Sequence, residues 1–159
     1  MEHTEKIAIR AVTGANWREA LALGVRPDQQ SFVAEYAPIA ALALAKAYIR
    51  PGGMTWTPYA IYADDMMVGF FTLAYEPATT DQYWLFHFFI DQRYQGRGYG
   101  WMALQRFIVL VGREHPQCRT LQLVVHPENV AAQRLYIAAG FRPTGGERWD
   151  EPVYRRAVG

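Results

Sequence analysis

The sequence predicts a three-layer α/β fold, in which a mixed β-sheet lies between helices on both of its faces. Strand-like and helix-like segments follow one another in the order β-α-α-β-β-β-α-β-α-β-β. Of the 159 residues, 51% are hydrophobic and 19% are charged, which is typical of a globular chain with a sizeable core. Because no internal repeat or linker interrupts the pattern, residues 1–159 are expected to form a single domain.

The first third of the chain is predicted to contain one strand and two helices. Residues 7–12 (Ile-Ala-Ile-Arg-Ala-Val) predict the first strand, because isoleucine alternates with alanine and arginine at its start. Thr13 is a suitable N-cap for a helix over about residues 14–23. A second helix is expected over residues 38–49, because Pro38 suits a first helical turn and residues 51–53 end the apolar period.

A hairpin and a buried strand follow. Residues 59–63 and 67–74 read as two strands that turn at Asp64 and Asp65. Residues 83–90 are apolar apart from His87, which predicts a central strand buried on both faces.

The second half of the chain continues with helices alternating with strands. We expect a helix over residues 100–111, a strand over 120–125 and a helix over 127–139 that ends at Gly140. A last hairpin over residues 141–156 is predicted to turn at Gly145-Gly146. The apolar face of the first of these helices is predicted to consist of Trp101, Leu104, Phe107, Ile108 and Val111.

Charge and composition exclude several classes of protein. The net charge of +1 argues against binding to nucleic acid or to an anionic membrane surface. No apolar run is long enough to span a bilayer, and residues 1–6 do not resemble a signal peptide, so a cytoplasmic location is expected. Cys118 is the single cysteine, which excludes a disulfide framework and predicts an unreactive thiol; no metal site is expected.

A glycine-rich turn at residues 95–100 (Gln-Gly-Arg-Gly-Tyr-Gly) lies between the buried strand and the long helix. Glycine permits positive φ and removes the Cβ atoms that would block a ligand. The helix adds its unpaired N–H groups and the positive end of its dipole. Together these features predict an anion site, most naturally for phosphate or pyrophosphate.

Four interpretations of this turn compete. A P-loop requires Gly-Lys-Ser/Thr, whereas this turn ends Gly-Tyr-Gly-Trp, and a Rossmann turn requires a different glycine spacing near the start of a βαβ unit. A glycine-rich turn without any ligand is the third interpretation. The fourth pattern, Gln/Arg-x-x-Gly-x-Gly/Ala, is the acetyl-CoA pyrophosphate loop of GNAT N-acetyltransferases, which the segments beginning at Gln95 and at Arg93 both resemble.

A second segment, residues 129–141, resembles the other signature of the same family. It has Asn129, an alanine three residues later, Tyr136 and then Gly140-Phe141, one βα step after the glycine-rich turn. On these two motifs the whole chain is identified as a member of the GNAT superfamily. Residues 68–75 and 83–96 are similar to those of bacterial spermine/spermidine acetyltransferases.

The resemblance implies a fold and a site. It implies a mostly antiparallel sheet splayed between the fourth and fifth strands, with the pantetheine arm of acetyl-CoA along residues 88–90. Tyr136 would protonate the departing CoA thiolate, and Asn129 would bind acetyl-CoA, although it is also suited to cap a helix. The implied cofactor-binding residues are Phe89, Ile90, Gln95, Gly96, Arg97, Gly98, Tyr99, Gly100, Trp101 and Asn129.

Neither motif identifies the general base or the groups that bind the substrate amine. His87 is a candidate base, since it is the one ionisable group in an apolar strand, but a structural histidine satisfied by a neighbour is an equal alternative. His126 closes the fifth strand near the implied split. Glu35, Glu76 and Asp81 are candidates for binding a substrate ammonium, with solvated surface charge as the alternative for each.

The implied activity is transfer of an acetyl group from acetyl-CoA to a primary amine of a small molecule, such as a polyamine, by direct attack in a ternary complex. An amino acid, an aminoglycoside or a protein N-terminus is an alternative acceptor. A non-catalytic acyl-CoA-binding domain is an alternative of another class. Many relatives are dimers, so a homodimer is one state that the resemblance allows.

Overall fold

The computed structural model describes residues 5–158, which form a seven-stranded sheet in the order β1-β2-β3-β4-β5-β7-β6. Neighbouring strands are antiparallel except β4 and β5, which are parallel, so the predicted mixed, mostly antiparallel sheet is confirmed. The strands are β1 (Ile7–Ala11), β2 (Thr55–Ala63), β3 (Met66–Tyr75), β4 (Tyr83–Ile90), β5 (Thr120–Val124), β6 (Arg142–Arg148) and β7 (Glu151–Ala157).

Helices cover both faces of this sheet. Short 3₁₀ turns lie at residues 27–29, 51–53 and 92–94. The α-helices are α1 (Trp17–Leu21), α2 (Gln30–Val33), α3 (Ile39–Ile49), α4 (Tyr99–Glu114) and α5 (Val130–Ala138). None of the helices in residues 5–158 is long and apolar enough to cross a bilayer.

Each face of the sheet has its own apolar core. On one face, Phe107 and Leu104 of α4 are fully buried against Phe71 of β3 and neighbouring side chains. On the other face, Ile39 and Ala43 of α3 pack with Phe70 and other side chains of the sheet. Successive residues of β3 therefore face opposite cores, as the alternation of a strand buried on both sides requires.

The sheet splays between β4 and β5, as expected. The two strands pair only through Tyr83 with Leu121 and Trp84 with Gln122, at the beginning of each strand. Beyond these residues β4 continues to Ile90 without a partner in β5. The gap explains why Phe86, Phe88 and Ile90 are only half-buried in a strand that was predicted to be wholly buried.

A β-bulge at His87 was not predicted. Phe70 pairs with Phe89, whereas Thr72 pairs with Phe86, so β4 has one more residue than β3 in this interval. His87 has a φ of 54°, a left-handed conformation that is uncommon for a residue other than glycine. The bulge turns the His87 side chain away from the regular alternation of the strand, at the level where the sheet opens.

Several details of the predicted elements are wrong. The strand predicted over residues 59–63 begins earlier, at Thr55, and the helix predicted from residue 127 begins at Val130, after its N-cap Asn129. The last hairpin turns at Trp149 and Asp150, both at positive φ, and Gly145 lies within β6 at a bulge. The residues of a tight two-residue hairpin turn have positive φ, which glycine adopts most readily. The turn was therefore predicted at the two glycines. Helix α1 is shorter than expected because Asn16 Oδ1 accepts a hydrogen bond from Thr13 N (2.8 Å), which stabilises a turn before the helix. Trp101 is 43% exposed rather than part of the apolar face of α4.

Candidate active site

A cavity of about 710 Å³ extends through the gap between β4 and β5. One end lies at the glycine-rich turn and the start of α4, and the other lies at α2, α3 and the β6–β7 turn. Tyr136 of α5 and His87 of β4 both line it between these ends. Of the predicted site residues, the cavity is also lined by Glu35, Phe89, Ile90, Gln95, Gly96, Gly98, Tyr99, Gly100 and Asn129.

The glycine-rich turn presents an array of unpaired N–H groups. Within residues 5–158, no group accepts a hydrogen bond from the backbone N–H of any residue from 96 to 101. Gly96 and Gly98 have φ of 80° and 82°, and a Cβ at either position would meet nothing within 4 Å. The turn is therefore open to a ligand, and its donors at a helix N-terminus match the oxygens of a pyrophosphate.

Two residues of the predicted loop do not line the cavity. Arg97 is exposed, and its guanidinium lies 5.8 Å from the centre of the Tyr94 ring. Trp101 is also exposed, one helical position beyond Gly100. Tyr99 is buried, and its hydroxyl donates to the carboxylate of Glu5.

The glycine-rich turn is anchored by the residues before it. The buried carboxylate of Asp91 accepts hydrogen bonds from Gly24 N (2.9 Å), Arg93 N (2.9 Å) and Arg93 Nε (2.8 Å). Gln95 Nε2 donates to the carbonyl of Ile90 (2.9 Å) and to Gln29 Oε1 (3.1 Å). The Gln95 side chain therefore holds the turn in place through hydrogen bonds within the protein.

Tyr136 has the surroundings expected of a proton donor. Its ring packs against Phe88 (6.4 Å between centroids) and Phe141 (5.9 Å), which fixes the side chain beside the gap. No group among residues 5–158 hydrogen-bonds its hydroxyl. Burial raises the pKa of Tyr136, so the phenol keeps its proton at neutral pH.

Asn129 and Phe89 also have structural contacts. Asn129 Oδ1 accepts from Ala132 N (3.2 Å) and caps α5, while Asn129 itself lines the cavity. Phe89 is buried and lies 6.0 Å from Phe70, ring centre to ring centre. The N-cap function considered for Asn129 is thus present, and it does not use the NH₂ group.

His87 is satisfied by neighbours on both ring nitrogens. Nδ1 lies 3.0 Å from the carbonyl oxygen of Val33, and Nε2 lies 3.1 Å from Lys46 Nζ. A carbonyl can only accept, so Nδ1 carries the proton and Nε2 accepts from Lys46. Burial, followed by the charge of Lys46, lowers the pKa of His87 to about 4, so the imidazole is neutral at pH 7.

Lys46 was missed by sequence reasoning, although it is the one charged residue of the otherwise apolar α3. Its ammonium lies 5.0 Å from the ring centre of Trp56 and 5.9 Å from that of Phe86. Burial lowers the pKa of Lys46, and the negative charge of Glu35 opposes this effect. Its isolated charge was the available sign of a special role.

The end of the cavity away from the glycine-rich turn is aromatic, and we call it the aromatic end. It is formed by Trp56, Phe86 and Trp149, with Phe86 4.9 Å from Trp56 and 5.1 Å from Trp149. The guanidinium of Arg148 stacks 4.2 Å from the Trp149 ring centre. Glu151, also missed from the sequence, is the second carboxylate that lines the cavity with Glu35.

The remaining candidates lie elsewhere. Glu76 and Asp81 belong to the β3–β4 connection, at the end of β4 where it still pairs with β5, and neither lines the cavity. His126 Nδ1 accepts from Glu128 N (3.1 Å), and its ring lies 4.9 Å from that of Phe32, which lines the cavity. Among the described residues, no cluster of His, Cys, Asp or Glu is arranged to hold a metal ion.

Cys118 is buried and lies outside the cavity, and burial raises the pKa of its thiol to about 11. A thiol with this pKa is almost entirely protonated at pH 7 and is a poor nucleophile. We therefore expect Cys118→Ala to keep acetyl transfer by the folded protein within about twofold of the wild type, because a buried residue outside the cavity contributes to stability rather than to the reaction. Loss of activity in a Cys118→Ala variant with unchanged thermal unfolding would instead indicate an acyl-enzyme.

The fold and the cavity together define a class of protein. A gap between two parallel strands, with free N–H donors at the start of the helix that follows the first strand, forms a cleft suited to an elongated ligand with an anionic group at one end. Acetyl-CoA fits these residues: the glycine-rich turn supplies the donors for the phosphates, and Tyr136 lies where the sheet opens. This arrangement is consistent with the class of acyl-CoA-binding proteins that the two sequence motifs imply.

The chain belongs to the GNAT acetyltransferase family, whose sequence profile, described as Acetyltransferase (GNAT) family, matches residues 17–141. It is 32% identical over 143 residues to a spermine/spermidine N(1)-acetyltransferase of Bacillus subtilis (strain 168), covering 87% of this chain and 90% of that protein. A probable spermine N(1)-acetyltransferase of Bacillus subtilis subsp. natto is 31% identical over the same shares of the two chains. The protein is therefore an N-acetyltransferase with acetyl-CoA as its co-substrate.

Solved structures confirm the fold. A spermidine N-acetyltransferase from Vibrio cholerae, in complex with CoA and spermine, superposes with a TM-score of 0.72 at 16% identity, over 96% of this chain and 95% of that one. RimL, a ribosomal L7/L12 α-N-protein acetyltransferase in complex with coenzyme A, superposes with a TM-score of 0.73 at 16% identity, over 96% and 94%. These two enzymes have different acceptors, so the likeness establishes the fold alone.

Proposed function

We propose that this enzyme transfers the acetyl group of acetyl-CoA to a primary amine of a polyamine in the cytoplasm, by direct attack within a ternary complex. The observation that carries the proposal is the single cavity along the β4–β5 gap, since the glycine-rich turn and two carboxylates that could bind an ammonium all line it. Glu35 and Glu151 line it and supply negative charge for an ammonium group. The names of the two Bacillus relatives support a polyamine as the acceptor.

Each part of the site has a distinct proposed role. The N–H groups of residues 96–101 bind the pyrophosphate, with Asn129 adding its amide, and residues 88–90 lie along the pantetheine arm. Acetyl-CoA supplies the activated acetyl group. Tyr136 donates its phenolic proton to the departing sulfur, which develops negative charge as the C–S bond breaks.

His87 is the proposed base on the acceptor side of the gap. The attacking amine becomes more acidic as its bond to the acetyl carbon forms, so a neutral imidazole can take the proton at that stage. Nε2 is engaged by Lys46, however, so this role requires the Lys46 ammonium to move away when the acceptor binds. A structural function of His87 is the alternative, and activity that survives His87→Asn unchanged would favour it.

The proposal is tested by CoA release from acetyl-CoA across a panel of acceptors. The panel contains spermidine, spermine, diamines, amino acids, aminoglycosides and a peptide with a free N-terminus. We expect kcat/KM to be highest for spermidine or spermine and to fall in a Glu35→Gln variant. An exposed acid outside the cavity provides the matched control, Glu128→Gln, which should leave kcat/KM unchanged.

A second acceptor class is favoured by a different observation. Lys46 and Arg148 place two cations beside the aromatic end, where they would repel a polycation and attract a carboxylate. An amino acid or other amine that carries a carboxylate is therefore the alternative substrate. Turnover of amino acids in the panel, with no turnover of polyamines, would select it and reject the polyamine.

A further inference from the structure

We propose that the enzyme acetylates itself on Lys46, so that the Nζ atom of this lysine is an internal acceptor held in the place of the substrate amine. The proposal rests on the proposed function, because it uses the same acetyl donor and the same cavity. It concerns a modification site on the protein itself, and it is argued from the contacts of Lys46 within α3, β4 and α2.

Lys46 is a nucleophile paired with a base. Lys46 Nζ lies 3.1 Å from His87 Nε2, whose lone pair faces it because Nδ1 is protonated and directed at the carbonyl of Val33 (3.0 Å). Enzymes activate acyl acceptors by placing the nucleophile in hydrogen-bond contact with a base. A third group then orients that base. Here the nucleophile is an amine of the chain.

The Lys46 ammonium lies among groups that suit the binding of a substrate amine. Lys46 forms no salt bridge within the described residues, and its Nζ lies against the faces of Trp56 and Phe86. Aromatic faces, an imidazole acceptor and a nearby carboxylate, Glu35, are the groups that would bind a substrate ammonium. The lowered pKa of Lys46 increases the fraction of neutral, nucleophilic amine at pH 7.

Lys46 lies in the cavity that an acetyl donor would enter. Lys46 and Tyr136 line the same cavity, and His87 directly precedes Phe88, whose ring lies 6.4 Å from that of Tyr136. His87 contacts Lys46 of α3 and Val33 of α2, whereas Tyr136 belongs to the apolar core that contains α4, so the cavity is lined by groups from both sides of the sheet. An acetyl donor that extends along β4 from the glycine-rich turn would enter the cavity that Lys46, His87 and Tyr136 share.

The chemical step balances without a further reactant. The lone pair of neutral Nζ forms a bond to the acetyl carbon, the thioester C–S bond breaks, and the sulfur leaves with its electron pair. His87 Nε2 takes the proton that Nζ loses, and Tyr136 supplies a proton to the sulfur, so CoA departs as the thiol. The products are Nζ-acetyl-Lys46 and CoA, and the charge of Lys46 is lost from the aromatic end.

Self-acetylation can be tested by comparing two sites, because Lys46 and Lys6 are the only lysines of the sequence. Lys6 is exposed and lies outside the cavity, so it reports acetylation by acetyl-CoA in solution. The full-length protein is incubated with acetyl-CoA and no amine, and peptides containing each lysine are followed by mass spectrometry. We expect acetylation of Lys46 about 10-fold faster than that of Lys6 or more, since proximity to the donor raises its effective concentration.

Variants identify the machinery that acts on Lys46. His87→Asn and Tyr136→Phe should slow acetylation at Lys46 and leave the rate at Lys6 unchanged. Spermidine, or whichever amine the panel identifies, should protect Lys46 by occupying its place. Lys6→Arg is the matched control, in which acetylation of Lys46 should proceed at the wild-type rate.

Each outcome separates this proposal from the proposed function. Amine-dependent CoA release without faster modification of Lys46 than of Lys6 overturns self-acetylation and leaves the polyamine proposal standing. Fast modification of Lys46 with no amine-dependent CoA release supports self-acetylation and overturns the polyamine proposal. Absence of both reactions in folded protein overturns both proposals.

Discussion

Replacement of Tyr136 by phenylalanine is expected to lower kcat about 100-fold or more, because positioned general acids typically contribute 10²–10⁴-fold. The buried phenol keeps its proton at neutral pH, and its hydroxyl has no partner among residues 5–158. Phenylalanine preserves the ring contacts with Phe88 and Phe141 that fix the side chain. The loss should therefore appear in kcat, with little change in the KM for acetyl-CoA, measured as CoA release at saturating amine.

The control for this variant is Tyr154→Phe. Tyr154 is 8% exposed, similar to the 7% of Tyr136, but it lies on β7 and does not line the cavity. It should retain kcat within about twofold, because it removes only a hydroxyl remote from the reacting atoms. Equal activity losses in the two variants would indicate a structural effect, and unchanged kcat in Tyr136→Phe would exclude Tyr136 as the acid.

Asp91→Ala is expected to lower the free energy of unfolding by about 3 kcal/mol, because buried donors to a carboxylate are left unpaired. The carboxylate is almost fully buried and accepts from Gly24 N and from two nitrogens of Arg93. These bonds join the segment after α1 to the start of the glycine-rich turn. Affinity for acetyl-CoA should also fall, measured by calorimetry at a temperature where the variant is folded.

The pH dependence of stability provides a second test of the role of the Asp91 carboxylate. Burial of its carboxyl opposes ionisation, but the hydrogen bonds from Arg93 and Gly24 outweigh burial and hold its pKa below the usual value. A group with a lowered pKa stabilises the fold above its unfolded pKa, about 3.9 for Asp, and this contribution is lost as the pH falls through the folded value. The stability difference between wild type and Asp91→Ala should therefore shrink below about pH 4.

A matched control exists at Asp28, which also pairs with an arginine two residues away. Arg26 Nε lies 3.4 Å from Asp28 Oδ1, but the Asp28 side chain is 73% exposed, against 2% for Asp91. Asp28→Ala should change stability by less than about 0.5 kcal/mol, because exposed ion pairs contribute little. A similar loss in both variants would contradict the role assigned to burial at Asp91.

Much of the fold could be predicted because its elements have strong local patterns. The bounds of β4 were predicted correctly as Tyr83–Ile90, since an apolar run between a polar loop and glycines has few alternatives. The glycine-rich turn and the N-cap at Asn129 were recognised from spacing, and both lie where the spacing implied. These features depend on residues that are close in sequence.

The features that escaped prediction depend on contacts between distant parts of the chain. The bulge at His87 follows from the register of β3 on β4, and its imidazole is satisfied by Lys46 from α3 and Val33 from α2. In the β6–β7 turn Trp149 has positive φ, and a tryptophan in the sequence gives no indication of this conformation. Glu76 was a candidate because it lies in the connection that precedes β4, whereas the cavity is lined by the other end of that strand.

The most direct test of the account is the initial rate of CoA release with spermidine, measured while acetyl-CoA and spermidine are varied together. Direct attack within one cavity predicts double-reciprocal lines that intersect, because both substrates must be bound before CoA leaves. Parallel lines would indicate an acyl-enzyme and contradict the assigned geometry. A rate independent of spermidine, with other amines active in its place, would contradict the polyamine as the acceptor.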